Sequence, residues 1–212
     1  MQIIECEQRT EQWYQARVGM ITASKFADVL AKGRGNAESK TRNTYIRQIA
    51  IERLTGLPLD NYTNPYMEYG CEMEEEAREA YTLQTGNTVE QVGFCKHDDW
   101  VGVSPDGLVG WDGLCEIKCP KTETHFGYIW GDSIPKSYYA QMQGQMWVTG
   151  RQWCDFVSYD RRVDVQPLFI QRILRDDKFI AELQDGIQEF IHGNKGVIEH
   201  IKKIDPNYIL EF

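Results

Sequence analysis

Ser104-Pro105-Asp106-Gly107 and, a short way downstream, Glu116-Ile117-Lys118-Cys119-Pro120 put two acids and an amine on what reads as a pair of neighbouring strands. Pro-Asp-Gly is a tight-turn signal, so Asp106 belongs at the turn between them. Residues two apart on a strand share a face. Glu116 and Lys118 therefore point the same way, while Ile117 points into the core and leaves its backbone carbonyl between them. Two carboxylates, a carbonyl and waters make the hard-oxygen set that suits Mg²⁺. Such an ion acidifies water and neutralises charge on a phosphoryl oxygen, and an adjacent ammonium can orient the water or stabilise the phosphorus centre. That is nuclease chemistry. The same residues also fit a surface hairpin with an ordinary Glu–Lys cross pair, and the motif alone leaves the two readings level. Six glutamates between 68 and 79 add a possible further carboxylate from a flanking helix, although most of them fit a helix start favoured by the helix dipole.

The elements that must carry these groups are legible in outline. Trp13 to Arg17 reads as a short helix. Thr22 or Ser24 can cap a second helix running to Ala31, with Phe26, Val29 and Leu30 as its apolar stripe. Lys32-Gly33-Arg34-Gly35-Asn36 reads as a loop. Residues 40–55 are helical by spacing and end at Gly56 and Pro58; residues 66–85 form a longer helix that stops at Gly86. The period then changes to two, predicting strands over 88–94, 100–103, 108–109 and 114–118, with turns at 105–107 and 111–113. A helix over 136–149, strands over 154–159 and 167–174, and a helix over 176–192 complete the pass. The order implies one α/β domain over 1–212, a mixed central sheet flanked by helices. Trp13, Tyr138 and Trp147 read as core aromatics rather than stacking platforms.

The chain has 212 residues, 42% of them hydrophobic and 26% charged, an ordinary composition for a soluble globular protein. No apolar run is long enough to span a bilayer. The first residues, Met1-Gln2-Ile3-Ile4-Glu5-Cys6-Glu7, lack the basic and apolar regions of a secretory signal, which predicts a cytoplasmic protein. The six cysteines form no Cys-x-x-Cys pair and read as free, mostly buried thiols. The net charge of −9 argues against a generally basic nucleic-acid binder, but residues 25–53 carry a local excess of +4. A basic arm beside an acidic body fits a protein that meets a polyanion at one face; it also fits solvated helices.

Four ordered blocks resemble one known family. They are Trp13-Tyr14-Gln15-Ala16-Arg17-Val18-Gly19-Met20-Ile21-Thr22-Ala23-Ser24; Gly70-Cys71-Glu72-Met73-Glu74 with Ala77-Arg78; Ser104 to Leu108 through Glu116 to Pro120; and Tyr138 to Trp147. Together they resemble the phage-type alkaline exonucleases, the group of bacteriophage lambda exonuclease and the YqaJ-like viral recombinases, within the PD-(D/E)xK nuclease superfamily. The resemblance runs from Trp13 to about Ile191 and implies a restriction-endonuclease-like core. It implies a Mg²⁺-dependent enzyme, with Mn²⁺ as a substitute, that degrades one strand of linear double-stranded DNA from its 5′ end. Mononucleotides are released and a 3′ overhang remains. By position, Asp106, Glu116 and the Ile117 carbonyl correspond to metal ligands and Lys118 to the catalytic lysine. Glu74 corresponds to a helix glutamate that positions water, and Gln141 to a glutamine lining the active site. Arg17, Ser24 and Ser104 correspond to residues that hold the terminal 5′ phosphate. The resemblance further implies a ring-shaped homotrimer, a phage single-strand annealing protein as partner, and a phage or prophage protein acting in a bacterial host.

The residue chemistry is compatible with these roles. An arginine fork suits phosphate, and a serine at a helix start lies near free backbone N–H groups. Taken alone, however, Arg17 reads as a surface ion pair, Ser24 as an N-cap and Gln141 as a solvated helix residue. Lys25, Lys32, Lys40 and Arg42 are candidates for a DNA track. Gly144 interrupts a helix at a cost of ~1 kcal/mol relative to Ala, which implies close packing there. The tail 194–212, with Pro206 and Phe212, reads as a partner-contact segment or a frayed end. Other functions remain open: a related endonuclease, a single-strand nuclease with an iron–sulfur cluster, and a catalytically silent DNA-end-binding recombination protein.

Overall fold

Two mixed sheets meet at the Ser104-Pro105-Asp106 loop. The structure, a computed structural model, describes residues 1–35, 37–59 and 65–204, apart from the side chains at 65–68 and 71. The first sheet has the order β1 (Gln2–Ile4), β4 (Phe94–Lys96), β5 (Val101–Val103), β2 (Ile21–Thr22). The second has the order β3 (Val89–Glu90), β6 (Gly107–Val109), β7 (Gly113–Lys118), β8 (Trp153–Tyr159), β9 (Leu168–Leu174). Strands β7 and β8 run parallel, with Glu116 opposite Phe156, and the other pairs of this sheet are antiparallel. A parallel pair requires a crossover. Helices α5 (Thr122–Trp130) and α6 (Lys136–Thr149) provide it.

The hydrophobic pattern decides which helix covers which face. Along β7, Leu114 joins a core with Phe156, Met142 and Met146 of α6, Phe26 of α2 (Phe26–Val29), and Leu183, Ile187 and Phe190 of α7 (Asp177–Lys203). Cys115 and Ile117 face the opposite way, toward Ala77 and Tyr81 of α4 (Pro65–Thr85). Glu116 and Lys118 share the parity of Leu114, so they stand on the α6 side, as the alternation requires. Helix α3 (Lys40–Thr55) is capped by Ser39, whose hydroxyl accepts from Arg42 N–H, and ends at Gly56 with φ 71°. Among the described residues, no helix is long and apolar enough to cross a membrane.

Several sequence-based boundaries shift. The strand expected over 88–94 is two strands in different sheets, broken at 91–93. A Cβ at Gly93 would lie 2.3 Å from the Cys6 carbonyl oxygen, so the backbone after β1 passes too close for a side chain. The helix expected up to Ala31 shrinks to a 3₁₀ turn (Ala23–Lys25) and the four residues of α2. Thr22 makes no side-chain cap there, and Ser24 lies inside the 3₁₀ turn rather than at its cap. Helix α5 has no counterpart in the sequence pass: it is short, opens without a side-chain cap and carries Gly127. Helix α7 runs on through Lys203, so the tail is ordered helix up to that residue, anchored by Asn194 Nδ2 donating to the Ile46 carbonyl at 2.7 Å. Pro206 and Phe212 lie outside the described residues, as does Asn36 of the loop. Cys6, Cys95, Cys115, Cys119 and Cys154 are free thiols. Burial raises Cys95 to about 11 and Cys119 to about 12.

Candidate active site

Strand β5 leaves the first sheet at Val103 and β6 enters the second at Gly107, so residues 104–106 bridge the two sheets at the mouth of the second. Asp106 Oδ2 accepts from the Ile117 N–H at 2.7 Å, which fixes the turn against the end of β7. Glu116 is fully buried, and three donors engage its carboxylate. Lys118 Nζ forms an ion pair with Oε1. Gln141 Nε2 donates to Oε1 at 2.6 Å, and Gln145 Nε2 donates to Oε2 at 2.7 Å. Gln141 and Gln145 are one helical turn apart on α6, so their amides reach the same acid. Burial raises Glu116 to about 7, reinforced by the charge of Asp106 and opposed by Lys118 and Gln145. Burial alone would lower Lys118, but Glu116 and Asp106 outweigh it and hold the ammonium protonated. The Lys118 Nζ also lies 5.3 Å from the centre of the Tyr138 ring.

Glu74 approaches from α4. Burial and then Asp106 raise its pKa, while Arg9, ion-paired to it, and Lys118 pull it down. Asp106, Glu116, Lys118, Glu74 and Gln141 are thus one electrostatic cluster. Its acidic groups are carboxylates, whose oxygens fit a hard dication that takes one or two carboxylates and completes its shell with water or substrate. Among the described residues, no three His, Cys, Asp or Glu side chains gather into an all-protein cage, and no four-cysteine cluster site is present.

A second group of side chains lies on the same loop. Trp13 Nε1 donates to Ser104 Oγ at 2.9 Å, and Arg17 Nη1 reaches the same oxygen at 3.5 Å. The Arg17 guanidinium stacks 3.9 Å from the centre of the Trp13 ring. Helix α1 (Glu11–Arg17) starts at Thr10, whose hydroxyl accepts from Trp13 N–H, so Trp13 and Arg17 project from one face a turn apart. Helix α3 secures the chain that follows. Glu52 accepts from Gly19 N–H at 2.8 Å, and Arg53 donates to the Gly19 carbonyl at 2.8 Å. The parallel register Ile21↔Val101 and Thr22↔Gly102 carries the chain leading to Ser24 alongside the chain leading to Ser104. Ser24 itself is exposed and forms no hydrogen bond with Arg17 or Ser104 among the described residues.

The basic stretch is less free than its charge implies. Arg42 donates to the Val29 carbonyl at 3.1 Å and Arg53 stacks 3.5 Å from the Trp100 ring centre, so both fasten elements together. Lys25 lies 3.6 Å from Asp28, whereas Lys32 and Lys40 are exposed. Sequence reasoning attached no role to Gln145 or Arg9. The i, i+4 spacing of Gln141 and Gln145 was the available signal for the first. Nothing local marks the second.

Residues 12–152 match the model of the YqaJ-like viral recombinase domain, which spans the Trp13–Ser104 group, the acid cluster and the paired glutamines. The chain belongs to the YqaJ-like viral recombinase family. Within that family's reach, it is 43% identical to an alkaline exonuclease, LHK-Exo, from Laribacter hongkongensis. The match covers 92% of this chain and 97% of that one, with a TM-score of 0.84. The same enzyme also matches in its complex with dAMP. A phage-related exonuclease from Haemophilus somnus 129PT superimposes with a TM-score of 0.71 at 18% identity over 86% of this chain and 96% of that one, a likeness of fold. An uncharacterized protein of Acanthamoeba polyphaga mimivirus is 26% identical over 74% of this chain, which spans only 30% of that relative's length. The YqaJ-like chain therefore has the PD-(D/E)xK-type fold, a mixed α/β core with the Asp-Glu-x-Lys groups at one end of the second sheet.

Proposed function

We propose that this chain is a Mg²⁺-dependent exonuclease that degrades one strand of linear double-stranded DNA in the 5′→3′ direction. On this reading, it releases mononucleotides and leaves a 3′ overhang for a single-strand annealing partner. One observation carries the proposal: Ser104 of the Arg17–Trp13 group and Asp106 of the acid cluster are separated by Pro105 alone. A 5′-terminal phosphate held by Arg17 and Ser104 thus lies beside the acids that would act on the next phosphodiester. Ser24 is assigned to the same pocket as part of this reading, supported by the parallel pairing of β2 with β5, which runs the chain leading to Ser24 beside the chain leading to Ser104. The relative with 43% identity is named an alkaline exonuclease and is known in complex with dAMP, a mononucleotide. Both points support the reading.

Asp106, Glu116 and the Ile117 carbonyl would hold the dication, for which Mn²⁺ is a fitting substitute. When bound, Mg²⁺ supplies Lewis acidity toward the phosphoryl oxygen and makes water more acidic. The remaining work falls to the chain. Lys118, kept protonated by its two acids, places positive charge beside the reacting phosphate. Gln141 and Gln145 hold Glu116 in one orientation, as outer-shell donors do for ligating carboxylates. Glu74 accepts a hydrogen bond from water at the edge of the cluster. Each cleavage leaves a new 5′ phosphate for Arg17, so the end is held again after every step. A homotrimeric ring with DNA through its centre is part of this proposal, as is action in the cytoplasm of a bacterial host.

The test is digestion of linear duplex DNA, with and without Mg²⁺, followed by sizing of the products. Mononucleotides from the 5′-phosphorylated strand, with covalently closed circles left uncut, are the expected result. Nicking of closed circles would replace the proposal with an endonuclease, and inert linear DNA would reduce it to end binding.

A further inference from the structure

Among the described residues, Arg9 is the one non-glycine residue in the left-handed region, with φ 69°. Glycine adopts that conformation without penalty, whereas an L side chain crowds its own backbone there. The turn that imposes it is held on both sides. The Gln8 amide donates to the Val92 carbonyl at 2.8 Å and to the Pro105 carbonyl at 2.9 Å. Thr10 Oγ1 donates to the Glu7 carbonyl at 2.7 Å and caps α1. Gln8 thus straps the turn across the loop that carries Ser104 and Asp106. The strap aims the Arg9 guanidinium at Glu74, with which it forms an ion pair, and leaves the Arg9 side chain 40% exposed. Strained backbone of this kind persists where surrounding structure over-determines it, and it clusters at ligand clamps. A partly exposed ion pair contributes little to stability.

We propose that Arg9 is a DNA-binding residue of the nuclease site, which pairs with Glu74 while the site holds no DNA and transfers to a phosphate of the incoming strand. The proposal rests on the nuclease reading above. The planar fork that fits a carboxylate also fits a phosphate, so the exchange trades one anion for another of like geometry. It also frees Glu74 at the moment substrate arrives. Arg9 directly follows Gln8, which is bonded to Pro105, the neighbour of the Ser104 that Arg17 reaches.

The decisive variants are Arg9→Gly and Arg9→Lys. Arg9→Gly removes the cation and relieves the backbone, so its melting temperature is expected to equal or exceed that of the parent. Binding of a 5′-phosphorylated duplex end is measured against salt in a Lys118→Ala background, which removes cleavage. Arg9→Gly is expected to weaken binding by about tenfold and to lower the slope of log K against log salt by about one. Arg9→Lys should keep the slope and recover only part of the affinity. Calorimetric titration of Mn²⁺ into the DNA-free protein should show tighter binding in Arg9→Gly, since a competing cation is gone. An unchanged slope and affinity for DNA overturns the proposal whatever the melting temperature. A lower melting temperature with an unchanged slope assigns Arg9 to packing and also overturns it. Failure of the nuclease reading is distinguishable: the parent protein would then leave linear duplex intact, while the salt slope would still report on Arg9.

Discussion

Glu116 concentrates the chemistry of the site in one buried carboxylate. Its three donors and its burial oppose each other: the donors favour the anion and burial favours the acid, and burial prevails. Replacing Gln145 by Leu removes the donor to Oε2 without opening a cavity. The expected loss is about 10- to 100-fold in activity together with a raised Mg²⁺ requirement, at a melting temperature close to that of the parent; unchanged Mg²⁺ dependence would show that Gln145 merely fills space. Asp106→Ala and Lys118→Ala should each reduce cleavage by at least about a hundredfold while the fold is kept. Arg17→Ala should erase the preference for 5′-phosphorylated over 5′-hydroxyl ends, and an equal loss on both substrates would make Arg17 structural. The raised pKa of Glu116 sets a pH dependence with a definite sign. A carboxyl whose folded pKa lies above its unfolded value stabilises the fold fully below the unfolded value and loses that contribution as pH rises through about 7. A dication needs the anion. The thermal stabilisation by Mg²⁺ should therefore grow between pH 6 and pH 8, and a flat response in melting experiments would contradict the assignment of Glu116.

Helix α6 shows how an element is chosen for what it must approach. A Cβ at Gly144 would stand 2.0 Å from the Phe26 ring, so the glycine that weakens the helix on propensity lets α6 close on α2. That closeness sets the depth at which Gln141 and Gln145 meet Glu116. Gly144→Ala should cost about 1–3 kcal/mol by overpacking, read as a lower melting temperature, with activity falling as the paired amides retreat. The spacing of apolar residues made α3 and α4 legible, and a content of β-branched and aromatic residues made β8 and β9 legible, whereas burial of α6 and β8 on nearly every side is not a one-stripe pattern. Helix α5 escaped because it is short and its end signal, Gly131 with φ 113°, comes without a capped start. The strand over 88–94 was misread because periodicity reports alternation and not which sheet a strand joins.

The chain as a whole carries −9, yet its proposed substrate is a polyanion. Arg42 and Arg53 of the basic stretch are committed to internal bonds while Lys32 and Lys40 stay exposed, and the proposal assigns the contacts at the duplex end to Arg17 and Arg9 first. Few contacts imply a shallow salt dependence. The affinity for duplex ends should fall by no more than the slope for a handful of phosphates, whereas a steep slope would show that the exposed Lys32 and Lys40 take part as well. The proposed ring predicts a species of three times 24.6 kDa in solution. A monomer by sedimentation would remove the ring from the proposal without touching the site.

Residue types and spacing alone established that Asp106, Glu116 and Lys118 belong together, because the turn chemistry and two-residue strand period are local rules. They also placed α3, α4 and α6 and implied close packing at Gly144. Folding supplied what local rules do not contain. The division into two sheets, the passage of the backbone after β1 past Gly93, the burial that raises Glu116 and the strap that aims Arg9 at Glu74 each join residues distant in the chain. Gln8 and Pro105 have no shared pattern in sequence; they meet because the turn before α1 and the loop between the sheets pack at one place.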